Sequence, residues 1–199
     1  MRTLHVADGT PEAAVLVDGA SVAAVGPYEE LVAADPAARV RRWPGILTPG
    51  LLNPYGPELL EATYHPDPRE ADWLGTEPIG GERARALFRV NPSRVGASAR
   101  RGVQRLFAYG TVAIAGELRA RPVVDTVRRA GLAVGQRPPQ LPGPASLSPT
   151  PLVLLPPLGE GAPARFAIFD VADRAELVVR GPETCVATVI GGRLVYRAR

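Results

Sequence analysis

The sequence predicts a mixed α/β protein with β-rich chain ends and a middle that alternates strand and helix. Three observations carry this. Residues 1–45 and 164–199 both alternate apolar and polar in short runs separated by glycine-containing turns. Residues 46–137 read strand, helix, strand, helix, strand, the order of βαβ units with right-handed crossovers. Between that region and the last strands, 138–163 is rich in Pro, Gly, Ser and Leu and reads as a linker or lid.

Taken in order, Leu4 and Val6 mark a first strand, and Gly9, Thr10 and Pro11 a turn. Val15, Leu16 and Val17 lead into Asp18-Gly19, a dipeptide suited to a two-residue hairpin turn, and residues 21–25 return as its partner. A short helix is expected over 28–34, with Glu29 and Glu30 in its first turn, and a strand over 40–43. The apolar run 46–52, interrupted by Pro49 and Gly50 and closed by Asn53, Pro54 and Gly56, reads as a buried strand ending in a tight loop. Residues 55–91 are polar and proline-punctuated, with one helical piece around 82–88. After Ser93, Val95, Ala99, Val103, Leu106 and Phe107 share one side of a helix that Gly110 ends. Residues 111–115 follow as a buried strand. Pro122 opens a helix carrying Val123, Val124 and Val127, Gly131 stops it, and 132–134 form a third strand. Residues 185–190 and 193–196 are expected to form a hairpin turning at Gly191-Gly192.

Composition narrows the classes of function. A chain of 199 residues with 46% hydrophobic content builds one domain or two small ones. No apolar run reaches the roughly 20 residues of a membrane helix, and Met1-Arg2-Thr3-Leu4-His5 lacks a secretory leader, so a cytoplasmic location is the expectation. The single Cys185 forms no internal disulfide and, within an apolar strand, reads as a buried small hydrophobe. All 23 basic residues are arginine and the net charge is +3. That usage fits the codon bias of a high-GC genome. The groups Arg39, Arg41, Arg42 and Arg100, Arg101, Arg105 read as solvated faces; no aromatic-interleaved basic stripe accompanies them, and no nucleic-acid partner is expected.

The run Pro49-Gly50-Leu51-Leu52-Asn53 resembles the first barrel strand of the amidohydrolase superfamily, where it precedes a His-x-His pair on a catalytic metal. Residues 15–27 are similar to the N-terminal β-segment of imidazolonepropionases and aminodeoxyfutalosine deaminases. Residues 99–113 resemble the first barrel helix and second barrel strand, and 165–170 with 185–196 the chain ending of the superfamily. The resemblance implies a composite β-sandwich made of 1–45 and 164–199, with 46–137 as an incomplete βα barrel inserted between them. A complete barrel takes about 200 residues, and this segment is under half that.

The resemblance also implies what is missing. Tyr55 stands where the first metal histidine is expected and Pro57 where the second is, so the ancestral zinc or iron site is expected to be lost and no cofactor retained. His5 reads as a surface or edge residue of a strand, and His65, before Pro66, as a loop residue. From the residues themselves, Glu58, Glu61 and His65 stand at i, i+3 and i+7, along one face if a helix runs through them, with Asp67 or Asp72 nearby. They could hold a metal, against the plainer reading of an exposed acidic helix start. Tyr55 is a candidate general acid or simply fills a vacated site. Gly80-Gly81 lacks the spacing of a phosphate loop.

The expected function is therefore a non-catalytic, amidohydrolase-like binding or scaffold protein. The alternative is a hydrolase of non-peptide carbon–nitrogen bonds, of the imidazolonepropionase or aminodeoxyfutalosine deaminase kind. Three parallel strands would leave one sheet face open. Its expected cover is the Pro-rich stretch, with Pro151-Leu152-Val153-Leu154-Leu155-Pro156 as a lid, together with a partner: a homodimer or a related protein.

Overall fold

A computed structural model describes residues 2–141 and 143–198. Met1, Pro142 and Arg199 lie outside the described residues, so the expectations for the N-terminus and the Pro-rich stretch are followed only around them. The elements run β1 (Thr3–Ala7), β2 (Ala14–Asp18), β3 (Ser21–Gly26), α1 (Tyr28–Ala34), β4 (Arg39–Trp43), β5 (Ile46–Thr48), β6 (Leu51–Asn53) and α2 (Gly56–Leu60). Then come α3 (Ala71–Leu74), α4 (Gly81–Val90), α5 (Arg94–Ala108), β7 (Thr111–Ala115), α6 (Arg121–Ala130), β8 (Ala133–Gly135) and β9 (Val153–Leu154). The chain closes with β10 (Arg165–Phe169), α7 (Arg174–Arg180), β11 (Cys185–Ile190) and β12 (Arg193–Arg197). The fold is mixed α/β with several sheets, and no barrel closes among the described residues. No helix among them is long and apolar enough to cross a membrane.

The chain divides into two units. The first comprises Met1–Leu52, Phe107–Val112 and Pro151–Arg199. It holds one four-stranded sheet in the order β3-β2-β1-β4 and another in the order β12-β11-β10-β5. β1 and β4 are parallel, while β10 pairs antiparallel with both β11 and β5. One apolar cluster draws Ala7, Val15, Val17, Val22, Trp43 and Leu47 from the N-terminal part together with Ala164, Phe166, Ile168, Ala187 and Val189 from the C-terminal part. Alternation explains the membership: Val15 and Val17 are two apart on β2, and Phe166 and Ile168 two apart on β10.

The run 46–52 is two strands rather than one. Pro49 has no N–H for a ladder and Gly50 turns the backbone at φ +85°, so β5 pairs with β10 while Leu51 and Leu52 pair antiparallel with Leu154 and Val153. The Val153–Leu154 run is thus an edge strand and not a lid over a sheet face, and β6 has an antiparallel neighbour that the parallel three-stranded expectation lacked. The first hairpin turns at Gly19-Ala20, one residue later than expected, because Asp18 pairs with Ser21 and positive φ occurs only at glycine. His5 is not a surface residue: it is 2% exposed, its Nδ1 accepts a hydrogen bond from Trp43 Nε1 (3.2 Å), and Phe166 meets its ring edge-on.

The second unit comprises Asn53–Leu106 and Ala113–Thr150. Its strands β7 and β8 are parallel, with Ala113, Ile114 and Ala115 opposite Ala133, Val134 and Gly135. α6 begins with Pro122 in its first turn and ends at Gly131 in the left-handed conformation, and it buries Val123, Thr126 and Val127 while Val124 is exposed. Residues 55–91 are more ordered than their polarity suggests. α3 and α4 contribute to an apolar cluster of Tyr64, Ile79 and Ala84, with Leu74, Leu87 and Phe88 packed against it, and Glu70 of a 3-10 turn over Pro68–Glu70 accepts from the Tyr64 hydroxyl.

Candidate functional site

Parallel strands in α/β folds present their loops on the side of their C-terminal ends, where ligand sites are commonly built. In the second unit, a cleft of about 790 Å³ lies at that end of β7 and β8, lined by Pro57, Glu58, Glu61, Gly116, Glu117, Arg119, Val134, Gly135, Gln136 and Arg137. Gly116 shapes it. At φ +106°, a Cβ there would stand 2.7 Å from Pro57 Cδ and 2.8 Å from Arg137 Nη2, so only glycine lets α2 and the segment after β8 come this close.

The acidic residues of the cleft already have partners. Glu58 pairs with Arg137 at 2.7 Å, and Glu117 with Arg119 at 3.3 Å. Glu61 Oε1 accepts from the backbone N–H groups of Arg119 and Ala120, both at 2.7 Å. Those amides lead into α6, so Glu61 supplies the carboxylate that its N-terminus otherwise lacks, Ala120 having no side-chain cap.

Glu58, Glu61 and His65 do not share a helical face. α2 stops at Leu60, Glu61 is already its C-terminal cap, and the chain turns away before His65. His65 is fully buried. Its Nε2 donates to the Leu59 carbonyl (2.7 Å), which leaves Nδ1 as the acceptor nitrogen, without a hydrogen-bond partner. The ring lies against α5 at Gly102, where a Cβ would be 2.6 Å from Nε2. Burial pushes its pKa down; the Leu59 carbonyl opposes this, and the charges of Arg105 and Arg101 add to the lowering. Asp67 and Asp72 do not complete a set either, and no group of three or more His, Cys, Asp or Glu side chains able to hold a metal occurs among the described residues.

Tyr55, 2% exposed, donates its hydroxyl to the Gly143 carbonyl (2.5 Å), and Asn53 Nδ2 donates to the Ser146 carbonyl (2.9 Å). Two side chains at the end of β6 thus hold part of the Pro-rich stretch in place. Pro57 lies in the first turn of α2 and offers no donor atom. Neither position therefore offers an imidazole, and the Tyr55 hydroxyl is already engaged.

The sequence reading missed a polar network in the same unit. Glu70 accepts from the Tyr64 hydroxyl (2.6 Å), the Asp67 N–H (2.9 Å) and Arg94 Nη1 (2.8 Å). Burial alone would raise its pKa, but the hydrogen bonds from Tyr64 and Asp67, with the charges of Arg94 and Arg101, outweigh it and hold the carboxyl below its ordinary value. The signal was present: Asp67-Pro68-Arg69-Glu70 has the spacing of a capping box, and the box forms. In the first unit, Cys185 is buried, and burial pushes its thiol up to about 11.

No family model matches the chain, and no curated protein matches it. Its structural neighbours are amidohydrolase-family deaminases and hydrolases. They include the N-isopropylammelide isopropylaminohydrolase of Burkholderia multivorans, with 18% identity over 67% of this chain and 36% of that one, at a TM-score of 0.44. Guanine deaminase from Bradyrhizobium japonicum gives 16% identity, 61% and 27% coverage and 0.41. Helicobacter pylori aminofutalosine deaminase gives 12% identity, 67% and 32% coverage and 0.39. The chain thus spans about a third of the length of these proteins.

Proposed function

We propose that the chain is a non-catalytic, amidohydrolase-like protein with a binding or scaffold role. In this reading 1–45 and 164–199 form one composite β-sandwich, 46–137 is a barrel remnant, and 138–163 is a Pro-rich linker. The observation that carries the reading is the Tyr55 phenol, bound to the Gly143 carbonyl where the sequence resemblance calls for a metal imidazole. Hydrolysis of a carbon–nitrogen bond in this superfamily uses a metal-bound water, and the donor set does not fit that ion. The cleft at the ends of β7 and β8, with carboxylates, guanidinium groups and Gln136 in its lining, is suited to a polar small molecule. The partner we propose is a second copy of the chain or a related protein, covering the open sheet.

Metal loading and activity test this together. Purified protein exposed to excess zinc or iron and then freed of unbound metal should retain no stoichiometric ion, and it should release no ammonia from aminopurines or aminotriazines. One tightly held metal per chain, lost in Glu61→Ala or His65→Ala and accompanied by ammonia release, would overturn the reading in favour of the hydrolase.

A further inference from the structure

The second unit has another concavity, independent of the cleft at the strand ends. A groove of about 560 Å³ lies between α5 and α6, lined by Ala97, Arg100, Arg101, Val103 and Gln104 from α5, by Thr126, Arg129 and Ala130 from α6, and by Asp67 and Pro68 at its end. Helical spacing gathers the polar groups. Gln104 is four residues after Arg100 and three after Arg101, and Arg129 is three after Thr126, so each set projects from one side of its helix. That volume is in the range of small-ligand sites, roughly 300–1,000 Å³.

The charges in the groove do not balance. Three guanidinium groups line it and one carboxylate, Asp67, which Arg101 already engages at 3.1 Å. Arg101 is held in place: its Nε donates to the His65 carbonyl (2.7 Å) and its Nη1 to Asp67. Arg100 and Arg129 make no hydrogen bond or ion pair among the described residues. Thr126 spends its hydroxyl on the Pro122 carbonyl (2.7 Å) and contributes its methyl group to the wall. The groove therefore holds two uncompensated positive charges beside apolar surface from Pro68, Ala97, Val103 and Ala130. Like charges gathered this way repel one another until an anion joins them. Guanidinium groups match phosphate oxygens in geometry as well as charge.

We propose that this groove binds a small phosphate monoester, the dianion held by Arg100, Arg101 and Arg129 and its organic group lying on the apolar wall. A monoester carries about −1.5 to −2 charges at neutral pH, which answers the excess in the groove. The walls on both sides and the small number of arginines favour a compact ligand over a nucleic-acid backbone, which a positively charged track would follow.

Titration of amide-labelled protein with phenyl phosphate at about 0.15 M ionic strength tests the assignment. Saturable shifts confined to residues 97–104 and 126–130 are expected. Inorganic phosphate should perturb the same residues more weakly, and phenol should perturb them little. Arg100→Gln and Arg129→Gln should each weaken phenyl phosphate binding by roughly tenfold, the loss of one charged hydrogen bond. Arg174→Gln, exposed on α7 in the first unit and outside both concavities, should leave it unchanged. Shifts scattered over the surface, the absence of saturation, or insensitivity to the two substitutions would overturn the proposal. So would a single-stranded RNA that binds more tightly than phenyl phosphate through the same arginines.

Discussion

Each unit buries one histidine, and the two are held in opposite ways. His5 sits in a strand among Trp43 and Phe166, parallel to one ring at 6.2 Å and edge-on to the other at 5.0 Å, and its polar bond is to the Trp43 indole. It behaves as a core residue in an apolar cluster that organises everything around it. His65 sits in a turn among polar partners: its N–H binds Ser98 Oγ, its carbonyl binds Arg101, and its ring binds the Leu59 carbonyl. In the first unit, apolar packing tolerates a polar group; in the second, hydrogen bonds and ion pairs bring short helices together around a small core. The concavities that could hold ligands at the strand ends and between α5 and α6 both belong to the polar unit.

The contrast breaks most severely by removing one chain end. Deleting 164–199 takes Ala164, Phe166, Ile168, Ala187 and Val189 from the cluster that also covers Val15, Val17 and Val22. Each buried residue of Val, Leu or Phe size contributes about 1.5–3 kcal/mol. The remaining N-terminal strands should lose cooperative unfolding altogether, by circular dichroism and thermal melting. A fragment ending near Pro163 that melts sharply with native β-signal would show that the two ends are separate bodies.

The next effect sharpens the comparison through acid. Burial, with the Arg41 charge adding to it, lowers the His5 pKa from 6.5 to about 4. The unfolded chain therefore takes up this proton first. The stabilisation is fully present above pH 6.5 and is lost as pH falls towards 4, a change of about 3 kcal/mol. Denaturant titrations at pH 7.5, 5.5 and 4.5 should trace this loss, and His5→Gln should flatten the slope in that window. An unchanged slope would place the acid sensitivity elsewhere, His65 being the first alternative because its pKa is lowered too.

The smallest effect probes the polar unit. Tyr64→Phe removes the hydroxyl that donates to Glu70, while the Asp67 N–H and Arg94 keep that carboxylate satisfied. The expected cost is about 1–2 kcal/mol, with amide-exchange protection reduced around α4 and the 3-10 turn and unaltered in β10 and β11. Equal loosening of both regions would erase the distinction between the units.

How much of this was legible depends on where the information lies. The strands β1, β2, β10 and β11 follow from alternation over a few consecutive residues, and α5 and α6 from apolar spacing with Pro122 and Gly131 as punctuation; such signals are local. α7 had a local signal too: Asp173 is its N-cap and accepts from the Glu176 N–H, while the Glu176 carboxylate accepts from the Ala172 N–H just before the cap. The burial of His65 and the outward-facing arginine groove had no local signal. The first depends on Gly102 giving way on a helix more than thirty positions later, and the second on Arg129 meeting Arg100 from a different helix. The Glu58, Glu61, His65 reading failed because spacing predicts a shared face only if the helix persists, and Pro57 opens a helix of only five residues.

Gly192 carries a consequence for how the protein can vary. The hairpin between β11 and β12 turns at Gly191-Gly192, and a Cβ on Gly192 would fall 2.0 Å from the carbonyl oxygen of Gly19 in the turn between β2 and β3. Two turns far apart in the sequence therefore meet, and a side chain at Gly192 would require the Gly19 turn to move. Hairpin tips are ordinarily the places where insertions, tags and permuted termini are tolerated. In this protein the tip at Gly192 is closed to such grafting, because any side chain there would displace the Gly19 turn.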